Sequence, residues 1–357
     1  MTRNVSILAL SLFIAWPTYA LNEVLETYNA VQGLAMGNAF TADAVGVNAL
    51  FYNPAGLARA ENKGWSITPV ALDTAFSTGY LATAGATRNV WFDRMLQTIN
   101  TAPGNYNYLR GNLIPSATRR NFGIALLGTY EFAALSNGTT VDMNFRKDLG
   151  VVLGASTNLF SNMIKVGLSV KAINRAEMAG VFDPNSLTYP DPTAAHLVEG
   201  IGVGADLGVI FTLPATYLPT LAFAWKDAVI GMPFIPMKLF HGTTATGVPI
   251  AGTQSFNLGA SIHPVIWKGA RGTLSVELRR LERTDLDLFR KLHIGFQFVA
   301  QKRLYLWAGM SQMYPTGGVG LRMKGGDFEL GSYAVDVGDV TTAISDRRFM
   351  MRYTIGF

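Results

Sequence analysis

Residues 33–59, GLAMGNAFTADAVGVNALFYNPAGLAR, decide how the rest of the chain is interpreted. The stretch is rich in glycine and alanine and lacks the alternation of a membrane strand, yet it is too apolar for a solvated linker. Asp43 is placed to cap a short helix over residues 44–50, and Asn53 followed by Pro54 is typical of a helix N-terminus. A compact segment of this kind, ahead of a long series of strands, indicates a plug packed inside a hollow fold.

This stretch resembles the N-terminal hatch of the FadL-type outer-membrane proteins, whose toluene-exporter-like and PorV-like branches share the pattern. The match ends in FYNPAGLA at residues 51–58, and its hatch motif consists of Gly33, Gly37, Asp43, Asn53, Pro54 and Gly56. The resemblance implies an antiparallel transmembrane β-barrel of about 14 strands, with residues 21–63 as a hatch inside the lumen. It covers about a tenth of the chain and separates the branches poorly.

Residues 1–20 have the organisation of a cleavable signal peptide. Arg3 supplies the positive charge, residues 5–16 form an apolar core, and Thr18-Tyr19-Ala20 matches a cleavage site. The apolar core is too short for a spanning helix, which takes about 20 residues. We therefore expect an exported protein of the outer membrane of a Gram-negative bacterium.

From residue 120 onward, runs of alternating apolar and polar residues follow one another along the chain. Several are longer than the strands of soluble sheets, which average about 5–6 residues, and suit tilted membrane strands of about 9–11. The final aromatic, Phe357, is in register with the apolar face of the last run. Residues 64–357 are therefore predicted to form a transmembrane β-barrel and not a soluble sandwich.

Thirteen runs are clear in the sequence, but bacterial single-chain barrels have an even number of strands. One further strand is therefore expected. We place the missing strand at residues 106–113, within an otherwise irregular region at 79–118. With this strand, the periplasmic side of the barrel has the short turns, at residues 161–162, 213–217, 301–302 and 324–326. The extracellular side has the long connections, at residues 179–199, 231–252 and 282–288.

The predicted lumen face carries charges of both signs and many glycines. The charged residues are expected to pair with one another or with the hatch and not to select ions; they are Arg146, Lys165, Lys171, Arg279, Lys291, Arg348 and Arg352 with Asp142, Asp148, Asp206, Glu277 and Glu329. Glycines such as Gly123, Gly154, Gly167, Gly208, Gly295 and Gly309 either make room for the hatch or permit tight curvature. Both explanations disfavour an open pore.

The connection at residues 231–240, GMPFIPMKLF, is apolar where a solvated loop should be polar. Apolar outer loops of FadL-type proteins capture hydrophobic substrates, although packing as a lid over the barrel explains this loop equally well. The candidate substrate-binding residues are Met232, Phe234, Ile235, Met237, Leu239 and Phe240, together with Phe40 and Phe51 of the hatch.

The resemblance implies passive uptake of hydrophobic small molecules, such as long-chain fatty acids or aromatic hydrocarbons. The alternatives are a PorV-like barrel that transports nothing and binds a secretion or surface-assembly partner, and a barrel enzyme. The four histidines lack metal-site spacing, no GxSxG occurs and cysteine is absent, so we expect no catalytic residues, metal or cofactor. The expected partners are outer-membrane lipid, a hydrophobic ligand and the barrel-assembly machinery. Diffuse basic residues argue against nucleic acid.

Overall fold

The computed structural model describes residues 23, 26–60, 64–87, 98–183, 196–228, 230–239, 245–338 and 344–357. The predicted signal peptide at 1–20 lies outside this part. The extended segments form one closed antiparallel barrel of 14 strands, in agreement with the predicted fold class. Four of the strands are each interrupted once, at residues 69, 114–115, 227–233 and 263–264.

The barrel strands are β1 (Ser66–Thr68 and Val70–Ser77), β2 (Tyr106–Leu113 and Ser116–Arg119), β3 (Phe122–Ser136), β4 (Val141–Leu159), β5 (Ile164–Phe182), β6 (Val198–Thr212), β7 (Thr220–Lys226 and Phe234–Pro236), β8 (Ser255–Ile262 and Val265–Trp267), β9 (Ala270–Leu278), β10 (Leu292–Ala300), β11 (Leu304–Ser311), β12 (Tyr314–Met323), β13 (Gly326–Asp336) and β14 (Ser345–Ile355). The sheet closes where β14 pairs with β1, from Arg348 opposite Ser77 to Ile355 opposite Val70.

Alternation along each strand sorts residues between the lumen and the outer surface. In β4, Asp148 is buried in the lumen whereas the next residue, Leu149, is 51% exposed on the outside. Because charged side chains point inward, the outer surface is a belt of apolar residues, which is the pattern of strands in contact with lipid. Among the described residues, no helix has the length and apolar character needed to cross a membrane.

The predicted additional strand at residues 106–113 is present as the first part of β2. Its surroundings are more regular than expected, since the helix α3 covers Thr78–Thr87 and β2 resumes at Ser116–Arg119. The short turns lie at one end of the barrel, called the inner end, where the last strand also finishes. The long connections lie at the opposite, outer end.

The apolar connection at residues 231–240 is partly a strand. Phe234–Pro236 pairs with β6 and continues β7, so that Phe234 points into the barrel while Ile235 points outward. This alternation explains much of the apolar character that made the stretch unusual as a loop. Lys291 also differs from its prediction, because it ends the short helix α4, Leu288–Lys291, ahead of β10.

The N-terminal segment, defined here as residues 26–60, contains helix α1 (Val31–Ala35), a 3₁₀ turn (Gly46–Asn48), helix α2 (Ala49–Tyr52) and a second 3₁₀ helix (Pro54–Arg59). The predicted cap at Asn53 is confirmed, since its side chain accepts a hydrogen bond from the Ala55 amide, with Pro54 at the first helical positions. The predicted cap at Asp43 is wrong. No side chain caps the turn that follows it, because the Asp43 carboxylate bonds to the barrel wall instead.

Glycines of the barrel wall lie directly against this segment. A Cβ added at Gly295 would lie 2.5 Å from the carbonyl oxygen of Met36, and one at Gly309 would lie 2.5 Å from the amide nitrogen of Gly37. Added Cβ atoms would likewise strike Leu50 from Gly154, the Pro54 backbone from Gly167 and Asn53 from Gly208. At these positions, room for the segment accounts for the glycines, as one of the two explanations predicted.

We expect Gly167→Ala to lower the free energy of unfolding by about 1–3 kcal/mol, the usual range for overpacking, or to push the segment off the wall. Thermal unfolding and limited proteolysis within residues 26–60 would measure the two effects. The control is Gly111→Ala, because an added Cβ there meets open space. Equal stability and equal protease resistance of the two variants would contradict this packing.

Candidate functional site

A cavity of about 340 Å³ lies on the outer side of the N-terminal segment. Its apolar part is formed by Tyr28 and Phe51 of the segment together with Met232 and Ile250 of the wall and outer connections. The rings of Tyr28 and Phe51 pack with their centroids 4.8 Å apart. The cavity therefore has an apolar patch that faces the outer end of the barrel and is closed below by the segment.

Charged residues line the remainder of this outer cavity, with six cationic and six acidic side chains among its described lining. Several pair with one another or with a neighbouring charge: Lys171 contacts Asp206 at 2.9 Å and Asp227 at 2.8 Å, and Arg175 contacts Asp148, which lies behind the lining, at 2.8 Å. This pairing agrees with the mixed lumen expected from the sequence. Because buried charges are costly unless paired, these networks fix the side chains and leave little net charge to attract an ion.

Glu26 links the segment to the wall beside this cavity. Its carboxylate accepts hydrogen bonds from Arg279 at 2.7 and 2.9 Å and from Lys226 at 3.0 Å. Burial by itself raises the pKa of Glu26, but the charges of Arg279 and Lys226 outweigh burial and hold that pKa well below its usual range. The carboxylate is thus ionised at neutral pH and anchors the outer end of the segment.

The predicted substrate-binding residues are only partly brought together. Phe51 and Met232 line the outer cavity, and Phe234 lies nearby with the Arg175 guanidinium 4.9 Å from its ring centroid. Phe40 is buried inside the segment against Tyr52, whose ring centroid is 5.1 Å away. The remaining residues do not line the outer cavity: Ile235, Met237 and Leu239 are exposed, and Phe240 lies outside the described residues.

Sequence reasoning missed Tyr28 and Ile250. Tyr28 precedes the hatch motif, and Ile250 belongs to a connection with no periodic pattern, so neither position carries a signal in the sequence. Gly33 and Gly56, two positions of the sequence motif, lie in close contact with other residues of the segment. A Cβ at Gly33 would lie 2.5 Å from the Tyr52 hydroxyl oxygen, and one at Gly56 would strike the Ala44 carbonyl.

A serine–histidine contact beside a second, smaller cavity of about 130 Å³ does not have the geometry of an activated nucleophile. The Ser311 Oγ lies 3.2 Å from Nδ1 of His293, but the same nitrogen lies 2.7 Å from the Gly37 carbonyl oxygen. A carbonyl only accepts, so Nδ1 must carry the proton and is not available as a base toward Ser311. Among the described residues, no group of three or more potential ligands could hold a metal ion.

Asp43 connects the inner part of the segment to strands β8 and β9. Its Oδ1 lies 2.7 Å from Nε2 of His263 and accepts a hydrogen bond from Ser261 at 3.0 Å, while Oδ2 accepts one from Ser275 at 2.5 Å. Arg59 of the segment lies 3.9 Å away. One carboxylate therefore holds two wall strands and the segment together.

The charge on Asp43 is favoured in the folded protein. Burial by itself raises the pKa of this carboxyl, but the hydrogen bond to His263 and the charge of Arg59 more than compensate, so the pKa lies below its usual range. Because the folded pKa is lower than the unfolded value of about 3.9, the stabilisation is present above that value and is lost as the pH falls through the folded pKa.

We expect Asp43→Asn to destabilise the barrel by about 1.5–3 kcal/mol at pH 7, the range for hydrogen bonds to a charged group. The difference from wild type should narrow as the pH falls below about 4, where the wild-type carboxylate becomes protonated. Thermal unfolding of both proteins as a function of pH measures this difference in stability. The exposed Asp285, paired with Arg283, provides the control: Asp285→Asn should change little. A difference that does not depend on pH would exclude the carboxylate charge as the cause.

Comparison with solved structures shows the same architecture in a hydrocarbon transporter and a hydrocarbon channel. The chain matches the P. putida toluene transporter TodX with 13% sequence identity and a TM-score of 0.55, covering 92% of this chain and 98% of TodX. It matches the CymD monoaromatic hydrocarbon channel with 13% identity and a TM-score of 0.54, covering 91% and 97% of the two chains. No protein-family model and no curated protein sequence matches the chain.

These likenesses show that the chain has the β-barrel fold of a toluene transporter and a monoaromatic hydrocarbon channel, which is the fold that the sequence resemblance predicted. At 13% identity they establish the fold. What the barrel carries or binds has to be argued from its own residues.

Proposed function

We propose that this chain is an outer-membrane channel for passive uptake of hydrophobic small molecules, with the N-terminal segment as its hatch. The observation that carries the proposal is the apolar patch of Tyr28, Phe51, Met232 and Ile250, which lies in a cavity directly above the segment. The shared fold with a toluene transporter and a monoaromatic hydrocarbon channel supports the same reading. In this arrangement the outer end faces the cell exterior and lipid covers the apolar belt.

The size and lining of the cavity indicate the kind of ligand. Its volume of about 340 Å³ falls at the lower end of small-molecule pockets, which span roughly 300–1,000 Å³. An aromatic hydrocarbon, or the chain of a fatty acid, would cover the apolar patch and release water from it. The paired charges around the patch offer no comparable gain to an inorganic ion.

Transfer past the segment requires part of it to leave the wall, because its side chains fill the lumen. Phe40 and Leu50 are completely buried, and the segment contacts the wall through Asp43 and Glu26. We propose that a ligand in the outer cavity displaces Phe51 from Tyr28 and so loosens the segment from the outer side. The Glu26 and Asp43 contacts would re-form after release and close the barrel.

The sealed lumen also fits the PorV-like alternative, in which the barrel carries nothing and binds a partner protein. The two functions differ in what accompanies the purified barrel. A channel should retain hydrophobic ligand in the outer cavity, whereas a scaffold should be ligand-free and retain a protein. Native mass spectrometry of the barrel extracted in a neutral detergent distinguishes them.

We expect Ile250→Asn to weaken binding of labelled toluene or oleate about fivefold, because it removes roughly 1 kcal/mol of apolar contact. Initial uptake into cells carrying the variant should fall in parallel. Ile250 is largely exposed, so the change should leave folding intact. The matched control is Val248→Asn, two residues away and also exposed, which does not line the cavity. Unchanged binding in Ile250→Asn, or equal losses in both variants, would refute capture at this patch.

A further inference from the structure

We propose that the inner end of the barrel contains a binding site for amphipathic anions, separate from the outer cavity. The site is a cavity of about 1,020 Å³ between the inner face of the N-terminal segment and the inner ends of the strands. The ligand class is a small molecule or lipid that joins a carboxylate or phosphate to an apolar group. The proposal depends on the composition of this inner cavity and stands independently of transport.

The charges in the described lining of the inner cavity are of one sign. Five cationic residues come from the inner ends of the strands and their turns, namely Arg119, Arg120, Arg271, Lys302 and Arg322. Arg59 of the segment and Lys165 of β5 bring the number to 7 of the 29 lysines and arginines of the chain. None of the 24 acidic residues appears in the described lining. The outer cavity, by contrast, is balanced, so this asymmetry is specific to the inner end.

Some of these cations already have partners. Arg322 pairs with Asp327 at 3.3 Å, Arg59 lies 3.9 Å from Asp43, and Lys165 donates to the Asn162 carbonyl at 2.6 Å. The Arg119 guanidinium lies over the Trp65 ring, 5.1 Å from its centroid. These contacts position the side chains at the cavity wall.

Arg120 and Arg271 differ from this group. Neither side chain makes a hydrogen bond or an ion pair with a described residue, and both line the cavity. A guanidinium presents five donors in a fixed planar arrangement that matches a carboxylate or a phosphate. Arg120 and Arg271 therefore provide binding capacity for an anion that the described residues leave unused.

The remaining lining is substantially apolar, with Val45 and Ala58 from the segment and Leu218, Val299 and Tyr305 from the wall. An inorganic anion would use only the cationic part of such a cavity. A ligand with an anionic group and an apolar body would use both, gaining charge-assisted hydrogen bonds and burial of apolar surface together. The combination selects an amphipathic anion over a simple ion or a neutral hydrocarbon.

Two sources can supply this chemistry: a free amphipathic anion in the barrel, or the headgroup of a phospholipid in the adjoining membrane leaflet. Octanoate titrated into the barrel in nanodiscs of neutral phosphatidylcholine measures the free anion. The same titration in nanodiscs containing anionic phosphatidylglycerol reports the headgroup. Weaker octanoate binding in the second case identifies competition by lipid, whereas equal binding identifies the free anion; both results support the site.

The test of the site itself is isothermal calorimetry with octanoate, 1-octanol and inorganic phosphate. We expect octanoate to bind more tightly than either 1-octanol or phosphate, and to bind less tightly as salt rises. Arg120→Gln/Arg271→Gln should weaken octanoate binding by about tenfold, as expected for loss of charge-assisted contacts at a hydrated site. A difference in SDS gel mobility between heated and unheated samples verifies that the variant barrel has folded.

The matched control is Arg303→Gln/Lys324→Gln, which removes two positive charges from turns at the same end without altering the cavity lining. Its octanoate affinity should equal that of wild type. Equal losses in the two double variants would show a general effect of rim charge and overturn the proposal. Absence of octanoate binding in both kinds of nanodisc, or 1-octanol binding as tightly, would overturn it as well. None of these measurements involves uptake, so they are separate from the test of the outer cavity.

Discussion

The close contact between the N-terminal segment and the glycines of the barrel wall is the constraint on which the rest of the structure depends. Backbone atoms of Met36, Gly37 and Pro54 lie where side chains from the wall would otherwise be. Close packing of this kind lets a segment with small side chains lie directly against the wall. It also divides the interior in two, so that the outer and inner cavities exist because the segment separates them.

Polar contacts hold the N-terminal segment to the wall toward both its outer and its inner end. Glu26 is held by Arg279 and Lys226 toward the outer end, and Asp43 is held by β8 and β9 toward the inner end. Buried ion pairs contribute little net stability, since desolvation offsets most of the attraction, but breaking one partner is costly. These anchors therefore specify where the segment lies more than they add to the stability of the barrel.

The two cavities differ in chemistry although one lumen contains them. Above the segment, charges of both signs surround an apolar patch; below it, cations share the lining with apolar residues. A molecule with an apolar body could contact either cavity, but only the inner one adds a net attraction for an anionic group. If both proposals hold, the cavities would favour different members of one class of amphiphile.

The sequence by itself determined the barrel, because alternation with period two assigns each residue to lipid or lumen. It predicted the strand at Tyr106–Leu113 and the cap at Asn53, which depend on neighbouring residues. Only the tertiary structure decided the cavities. Closure of the barrel brings Tyr28 and Phe51 beside Met232 and Ile250, and it directs Asp43 to the wall instead of to its own helix. Such contacts join residues about 200 positions apart, and local patterns carry no information on pairings that chain closure alone creates.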